Sequence, residues 1–196
     1  SNRASGEWGE AQEVKFFSDS SITVGHPTLN ALGDTMYFVS DAPGGYGGKD
    51  IYMAISNGSE WDDIRNMGPQ VNTADDELFP YIREDGRLYF SSKGHPGYGG
   101  LDLFYAEHSS DTTWAVFNMG APFNSSNDDF GITFAGTSEN GFFSSNRGQK
   151  RGYDQIYSFT LPAMEFIVEG TILDTKGEAI ADATIRLVGD DGTNVK

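Results

Sequence analysis

The sequence predicts an all-β protein built from a repeated four-stranded unit, and three observations predict it. The first is self-similarity. Tyr37-Phe38-Val39-Ser40 leads into a glycine loop ending Gly47-Gly48-Lys49-Asp50. Tyr89-Phe90-Ser91-Ser92 leads into one ending Gly99-Gly100-Leu101-Asp102. Phe142-Phe143-Ser144-Ser145 leads into Arg151-Gly152-Tyr153-Asp154. Asp50, Asp102 and Asp154 recur every 52 residues, and Trp8, Trp61 and Trp114 every 53. The second is composition: 25 glycines punctuate short strands rich in the 14 phenylalanines and nine tyrosines. The third is that no stretch carries a helical apolar period. A period of this size marks a repeat architecture, and four strands per repeat is the content of one propeller blade.

The elements follow in order. Glu7 to Phe17 reads as a lone strand carrying Trp8. His26 to Asn30, Thr35 to Asp41, Asp50 to Ser56 and Trp61 to Met67 form the first run of four. Their turns are Leu32-Gly33-Asp34, the glycine loop and Asn57-Gly58, all sequences that break strands. Leu78 to Arg83, Arg87 to Ser92, Asp102 to Glu107 and Thr113 to Met119 form the second run, with Asp85-Gly86 as its hairpin signal. Phe130 to Ala135, Asn140 to Ser145 and Asp154 to Thr160 begin a third run that lacks its Trp strand. Leu161-Pro162-Ala163 breaks the pattern. Beyond it, Glu165 to Leu173, a turn at Asp174 to Gly177, and Ala183 to Val188 read as the start of a different β domain. The predicted division is 1–162 for the blades and 163–196 for the second domain.

Composition excludes several classes. The net charge of −16 opposes nucleic acid, whose phosphates need Lys and Arg. It equally opposes docking on anionic lipid. No apolar run approaches the ~18 residues of a membrane-spanning helix. With no cysteine there is neither a disulfide nor a thiolate metal site.

Each residue that could carry chemistry also has a structural role open to it. Asp50, Asp102 and Asp154 invite a metal, but one per blade cannot converge, and Ca²⁺ takes six to eight oxygens. They read instead as caps accepting backbone N–H groups at the loop-to-strand junction. Gly47, Gly48, Gly99, Gly100 and Gly152 resemble phosphate loops without the Lys-Ser/Thr ending or the following helix, so they read as tight turns needing positive φ. Trp8, Trp61 and Trp114 read as blade-packing residues by their period. Glu77, Asp128 and Asp129 precede the innermost strands, where a glycosidase propeller places its acid and base facing the channel. His26, His95 and His108 fall at unrelated positions and form no ligand set. No cofactor is expected. Asp34-Thr35 and Asp111-Thr112 match a short O-glycosylation triplet at Thr35 and Thr112; Asn57 and Asn124 open sequons.

These motifs resemble the PD40 repeats, WD40-like units of TolB-type propellers, in the branch found in Bacteroidetes OmpA-family envelope proteins. The matching elements are Trp61, Asn72, Glu77, Pro80, Gly86, Leu88, Tyr89, Phe90, Ser92, Gly99, Gly100, Asp102, Leu103 and Phe104. Gly131 stands where Pro80 is expected, and Arg151 where Gly99 is. The tail, through Gly177, Ala183, Ile185 and Leu187, resembles the start of a carboxypeptidase regulatory-like domain, an Ig-like β-sandwich. The resemblance implies a periplasmic, outer-membrane-associated scaffold that binds envelope protein partners. Some members serve the type IX secretion apparatus, and peptidoglycan is held only through a domain outside this chain. The rival reading is a glycan-binding or glycoside-hydrolysing propeller. Three blades are too few to close a ring. The chain is therefore expected to be an open arc that associates through uncovered faces, with the Trp8 strand belonging to a blade that precedes Ser1.

Overall fold

The computed structural model describes residues 10–110, 113–148, 153–162, 171–180, 187–188 and 194–195. The chain divides into two compact units, Ser1–Pro162 and Ala163–Lys196. All regular structure among the described residues is β.

The first unit is a partial β-propeller. Blade 1 is the antiparallel meander β1 (Val24–Leu29), β2 (Thr35–Ser40), β3 (Asp50–Ser56) and β4 (Trp61–Asn66). Blade 2 is β5 (Glu77–Ile82), β6 (Leu88–Ser92), β7 (Asp102–Ser110) and β8 (Thr113–Asn118). Blade 3 has three strands, β9 (Asp129–Phe134), β10 (Asn140–Ser145) and β11 (Gln155–Thr160). Blade 2 packs on both neighbours, and no strand of blade 1 packs on a strand of blade 3.

Period-2 alternation explains the packing. Along each central strand one set of side chains points to the preceding blade and the other to the following one. Tyr37, Val39 and Ile51 of blade 1 meet Leu88, Phe90, Phe104 and Ala106 of blade 2 in one core cluster. Tyr89 and Leu103 of blade 2 meet Ile132, Phe134 and Phe143 of blade 3 in a second. Trp114 and Val116 of β8 seal the first cluster at its rim. Trp61 seals a third, around Phe38, Tyr52 and Ala54 on the far face of blade 1.

Two expectations change here. Residues 10–17 form no strand. Phe16 instead stacks flat on Phe38 with ring centroids 4.2 Å apart, and Phe17 meets the edge of Tyr52 at 6.1 Å. Burying two rings on an apolar face outweighs pairing a single strand. Asp154 also fails to repeat Asp50 and Asp102. Ser40 pairs with Asp50 and Ser92 with Asp102, but Ser145 pairs with Gln155. The cause is one extra residue in the β9–β10 turn: Ala135 N–H reaches Asn140 C=O, whereas Arg83 N–H reaches Arg87 C=O. Asp154 is exposed. Trp8, Thr112, Gly152 and most of the two tail strands lie outside the described residues.

In the second unit, Leu173 bridges Ala179 around a turn that the Asp174 carboxylate closes by accepting Lys176 and Glu178 N–H at 2.8 and 2.9 Å. Those bonds hold its carboxyl below the ordinary range. Two short strands, β12 (Leu187–Val188) and β13 (Asn194–Val195), pair antiparallel.

Candidate functional site

The polar signature residues gather where one blade hands the chain to the next. At the first joint Asn72, fully buried, lies beside the start of β3. Its Oδ1 accepts Ile51 N–H at 2.8 Å, and its Nδ2 donates to Ile51 C=O at 2.9 Å and Asn66 Oδ1 at 2.8 Å. Asn124 does the same at the second joint with Leu103, at 2.7 and 2.8 Å, and with Asn118 at 2.9 Å. A side-chain amide thus imitates a strand neighbour where the sheet has none. Glu77 N–H donates to Lys49 C=O, and Asp129 N–H to Leu101 C=O, so each inner strand is tied to the glycine loop of the blade before it. Asp76 and Asp128 complete the tie by accepting Lys49 and Leu101 N–H at 3.0 and 2.9 Å.

The glycines serve this joint, though not through positive φ. Gly47, Gly48, Gly99 and Gly100 are not among the positive-φ residues. A Cβ on Gly47 would collide with the Thr73 and Ala74 backbone, and one on Gly99 with Asn127 N and Ser125 O at 2.7 Å. Gly48 and Gly100 face the Asp76 and Asp128 carboxylates in the same way. Close backbone approach is what requires glycine.

Glu77 and Asp129 do not face a channel. Both are fully buried, at 0% exposure. Glu77 accepts Thr73 N–H and Thr73 Oγ1 at 2.7 Å and Ser92 Oγ at 2.6 Å. Asp129 accepts Ser125 N–H at 2.6 Å, Ser125 Oγ at 2.8 Å and Arg147 at 2.5 Å. Asp128 is half-buried and holds Leu101 and Asn146. The Glu77 and Asp129 carboxylate oxygens are taken up in closing these loops.

Asp50 and Asp102 do cap their loops, through Oδ2. Asp50 takes Tyr46 N–H and Asn66 Nδ2, both at 2.7 Å; Asp102 takes Tyr98 and Gly99 N–H at 2.9 and 3.0 Å. The Oδ1 of each is buried with no partner. One carboxylate oxygen per blade does not suit Ca²⁺, and no group of three metal-ligating side chains occurs among the described residues. Asp102→Ala should lower the unfolding free energy by about 1–3 kcal/mol, the range for a buried hydrogen bond to a charged group. Calorimetry with and without Ca²⁺ checks this; a Ca²⁺-dependent rise in melting temperature lost in the mutant would contradict capping.

The histidines have separate structural partners. His108 packs against Trp114, with ring centroids 3.8 Å apart and the planes tilted by 37°, and His95 Nε2 contacts Val71 C=O at 2.9 Å. His26 stacks on Phe79 at 4.2 Å, and Phe79 on Phe130 at 5.3 Å, so one aromatic row crosses the inner strands of all three blades. His26, Phe79 and Gly131 share positive φ of 51°, 53° and 65° at a repeated bulge. Gly131 therefore occupies the place of Phe79, and Ile132 that of Pro80. A shallow cleft of about 220 Å³ lies beside this row. It is smaller than the ~300–1,000 Å³ of typical ligand sites.

Sequence reasoning missed the arginines. Arg147, in the third glycine-loop region, donates to Pro122 C=O at 2.6 Å and to Phe123 C=O as well as to Asp129. Arg83 bridges blades 2 and 3 by pairing with Glu139 at 2.5 and 3.2 Å over the Phe134 ring. That pairing holds Glu139 below its ordinary range and Arg83 above its own. Asn72 and Asn124 were legible as repeats, each six residues after Asn66 and Asn118.

No family model matches the chain, and no curated protein matches it. Among solved structures it is similar to the puromycin hydrolase S511A mutant complexed with PGG, at 12% identity and a TM-score of 0.37. That match covers 88% of this chain and 32% of the hydrolase, so the chain spans about a third of that protein's length.

Proposed function

We propose that the chain is a non-catalytic interaction scaffold, a stretch of propeller whose rigid blades present loops to a protein partner. The observation that carries this reading is the commitment of Glu77 and Asp129. A general acid or base must reach substrate, and these two carboxylates are sealed inside the loops they close. The axial cleft is shallow and lined by the aromatic row and the bulged strands, with no carboxylate among its lining residues. The motif resemblance supports a periplasmic, outer-membrane-associated parent that binds envelope proteins, with peptidoglycan reached through another domain.

The test is turnover on glycosides, peptides and phosphoesters, with a sugar array run in parallel. No hydrolysis and a blank array are expected. Turnover abolished by Glu77→Gln or Asp129→Asn would overturn the scaffold reading in favour of a glycan-processing propeller.

Glu77→Gln also has a stability signature. Burial raises the Glu77 carboxyl above its ordinary value of 4.5, against the lowering by its Ser92 and Thr73 bonds. The folded group therefore binds its proton more tightly than the unfolded one. Its contribution is full below pH 4.5 and is lost as pH rises through the folded value. Glutamine cannot ionise, so the stability of wild type relative to Glu77→Gln should fall as pH rises across that window. Urea midpoints at a series of pH values check the sign.

A further inference from the structure

The two joints between inner strands meet one demand in different ways. The bulges of β5 and β9 each present an N–H to the blade before them, from Phe79 and from Gly131. Two positions of the preceding blade come within reach. One is its own bulge residue, His26 in blade 1 and Phe79 in blade 2. The other lies on its second strand, Val39 in blade 1 and Ser91 in blade 2, paired with Gly25 and Leu78 just before the bulge. At the second joint the Phe79 side chain cannot accept, and Gly131 N–H donates to Ser91 Oγ at 3.4 Å. At the first joint Val39 cannot accept, and Phe79 N–H donates to His26 Nδ1 at 3.3 Å. The two bonds are equivalent in place. Only the first ends on a group that takes up a proton near neutrality.

The geometry fixes the tautomer. A ring nitrogen that accepts an N–H carries no hydrogen, so neutral His26 holds its hydrogen on Nε2. The next proton goes to Nδ1, where it faces another donor, and the bond is lost. The ring lies nearly parallel to Phe79, with 12° between the planes. A half-turn within that stack would present Cδ2–H to the amide, which accepts nothing. His26 is exposed beside the shallow cleft, so protons reach it.

The surroundings oppose a charged ring. Burial against its neighbours and the charge of Lys49 hold His26 below its ordinary value of 6.5. β1 packs on β2 and β5. From β2, Tyr37 belongs to the first core cluster, and burial raises its hydroxyl above the ordinary value. From β5, Tyr81 lines the same cleft, and the Glu77 carboxylate is turned onto Thr73 and Ser92.

We propose that His26 is a proton-operated latch on the first joint. The neutral ring holds the bulge of β5 to β1. Protonation removes that bond and leaves the bond between Gly131 and Ser91 in place. Acid therefore loosens blade 1 from blade 2 at the axial ends of their inner strands, beside the cleft. The rest of the joint stays tied by Asn72 and the first core cluster, neither of which changes charge near neutrality. The sign follows from linkage. The folded value lies below the unfolded one, so the latch contributes fully above pH 6.5 and is lost as pH falls through the folded value.

NMR of the full chain tests the proposal by following the His26 ring and the Phe79 and Gly131 amides as pH is lowered. The neutral ring should be the Nε2–H tautomer and should titrate below 6.5. The Phe79 amide shift should follow the same curve. Its exchange protection, corrected for the intrinsic effect of pH on exchange, should be lost with it, while Gly131 keeps its own. His26→Asn places a neutral Oδ1 where Nδ1 stood, and asparagine tolerates the positive φ of this position. In that variant Phe79 protection should no longer depend on pH. His26→Phe keeps a ring for the stack and removes the acceptor, so Phe79 should lack that protection at every pH. An Nδ1–H tautomer, a Phe79 amide indifferent to the His26 titration, loss of protection at Phe79 and Gly131 together, or a pH response that survives in His26→Asn each overturns the proposal.

Discussion

Arg147→Ala is expected to lower the unfolding free energy by about 3–5 kcal/mol, the cost of leaving a buried charge without its partner. Asp129 has no exposure, and Arg147 is its only cationic partner among the described residues. The same guanidinium closes the β8–β9 connector through the Pro122 and Phe123 carbonyls and lies over the Phe143 and Tyr157 rings at 5.1 and 5.2 Å. One substitution therefore removes an ion pair, two carbonyl contacts and packing in blade 3. Arg147→Lys should recover only part of the loss, because a single ammonium nitrogen does not span the acceptors that the separate Nη1 and Nη2 reach. Adding Asp129→Asn to Arg147→Ala should also recover part, by removing the stranded charge. Urea denaturation of the four proteins measures this. A loss under about 1 kcal/mol for Arg147→Ala would mean that Asp129 is reached by water.

Gly99→Ala is expected to cost about 3 kcal/mol, the upper end of the range for overpacking. The new Cβ would lie 2.7 Å from both Asn127 N and Ser125 O, and these backbone atoms are held by the Ser125–Asp129 loop and cannot swing away. Gly47→Ala should behave alike against Thr73 and Ala74. Gly58→Ala is the contrast: its φ is 94° but nothing lies within 4 Å, so only backbone strain of about 1–2 kcal/mol is expected. Thermal unfolding of the three variants separates close approach from positive φ. If Gly58→Ala proves the most damaging, the glycine loops are turns rather than contact surfaces.

The strand order was legible because each blade repeats its own apolar alternation, and all eleven blade strands start within two residues of their expected starts. Four features were not. The Asp50–Asp102–Asp154 spacing looked uniform, yet one residue added to the β9–β10 turn shifts the third register, and only pairing reveals it. The glycine loops carried a signal that local rules assign to turns, whereas their requirement comes from connectors roughly 27 residues away in sequence. Glu77 looked channel-facing because inner strands start at the axis. Its side chain instead folds back on Thr73, whose N–H and hydroxyl it satisfies. Phe16 and Phe17 read as strand residues because an alternating apolar segment gives no hint whether its partner is a strand edge or a blade face.

The central claim is that the repeat signature forms rigid joints between blades rather than a reacting site. Amide hydrogen exchange at Ile51 and Leu103 tests it most directly. Both N–H groups lie at the edge of a loop, and each is held by one buried asparagine side chain, Asn72 or Asn124. If the joints are rigid, both amides exchange only on global unfolding, with opening free energies within about 1 kcal/mol of the value from urea denaturation. Exchange at the rate of exposed loop amides such as Gly33 or Gly58 would show that the joints open independently of the blades, and would contradict the account.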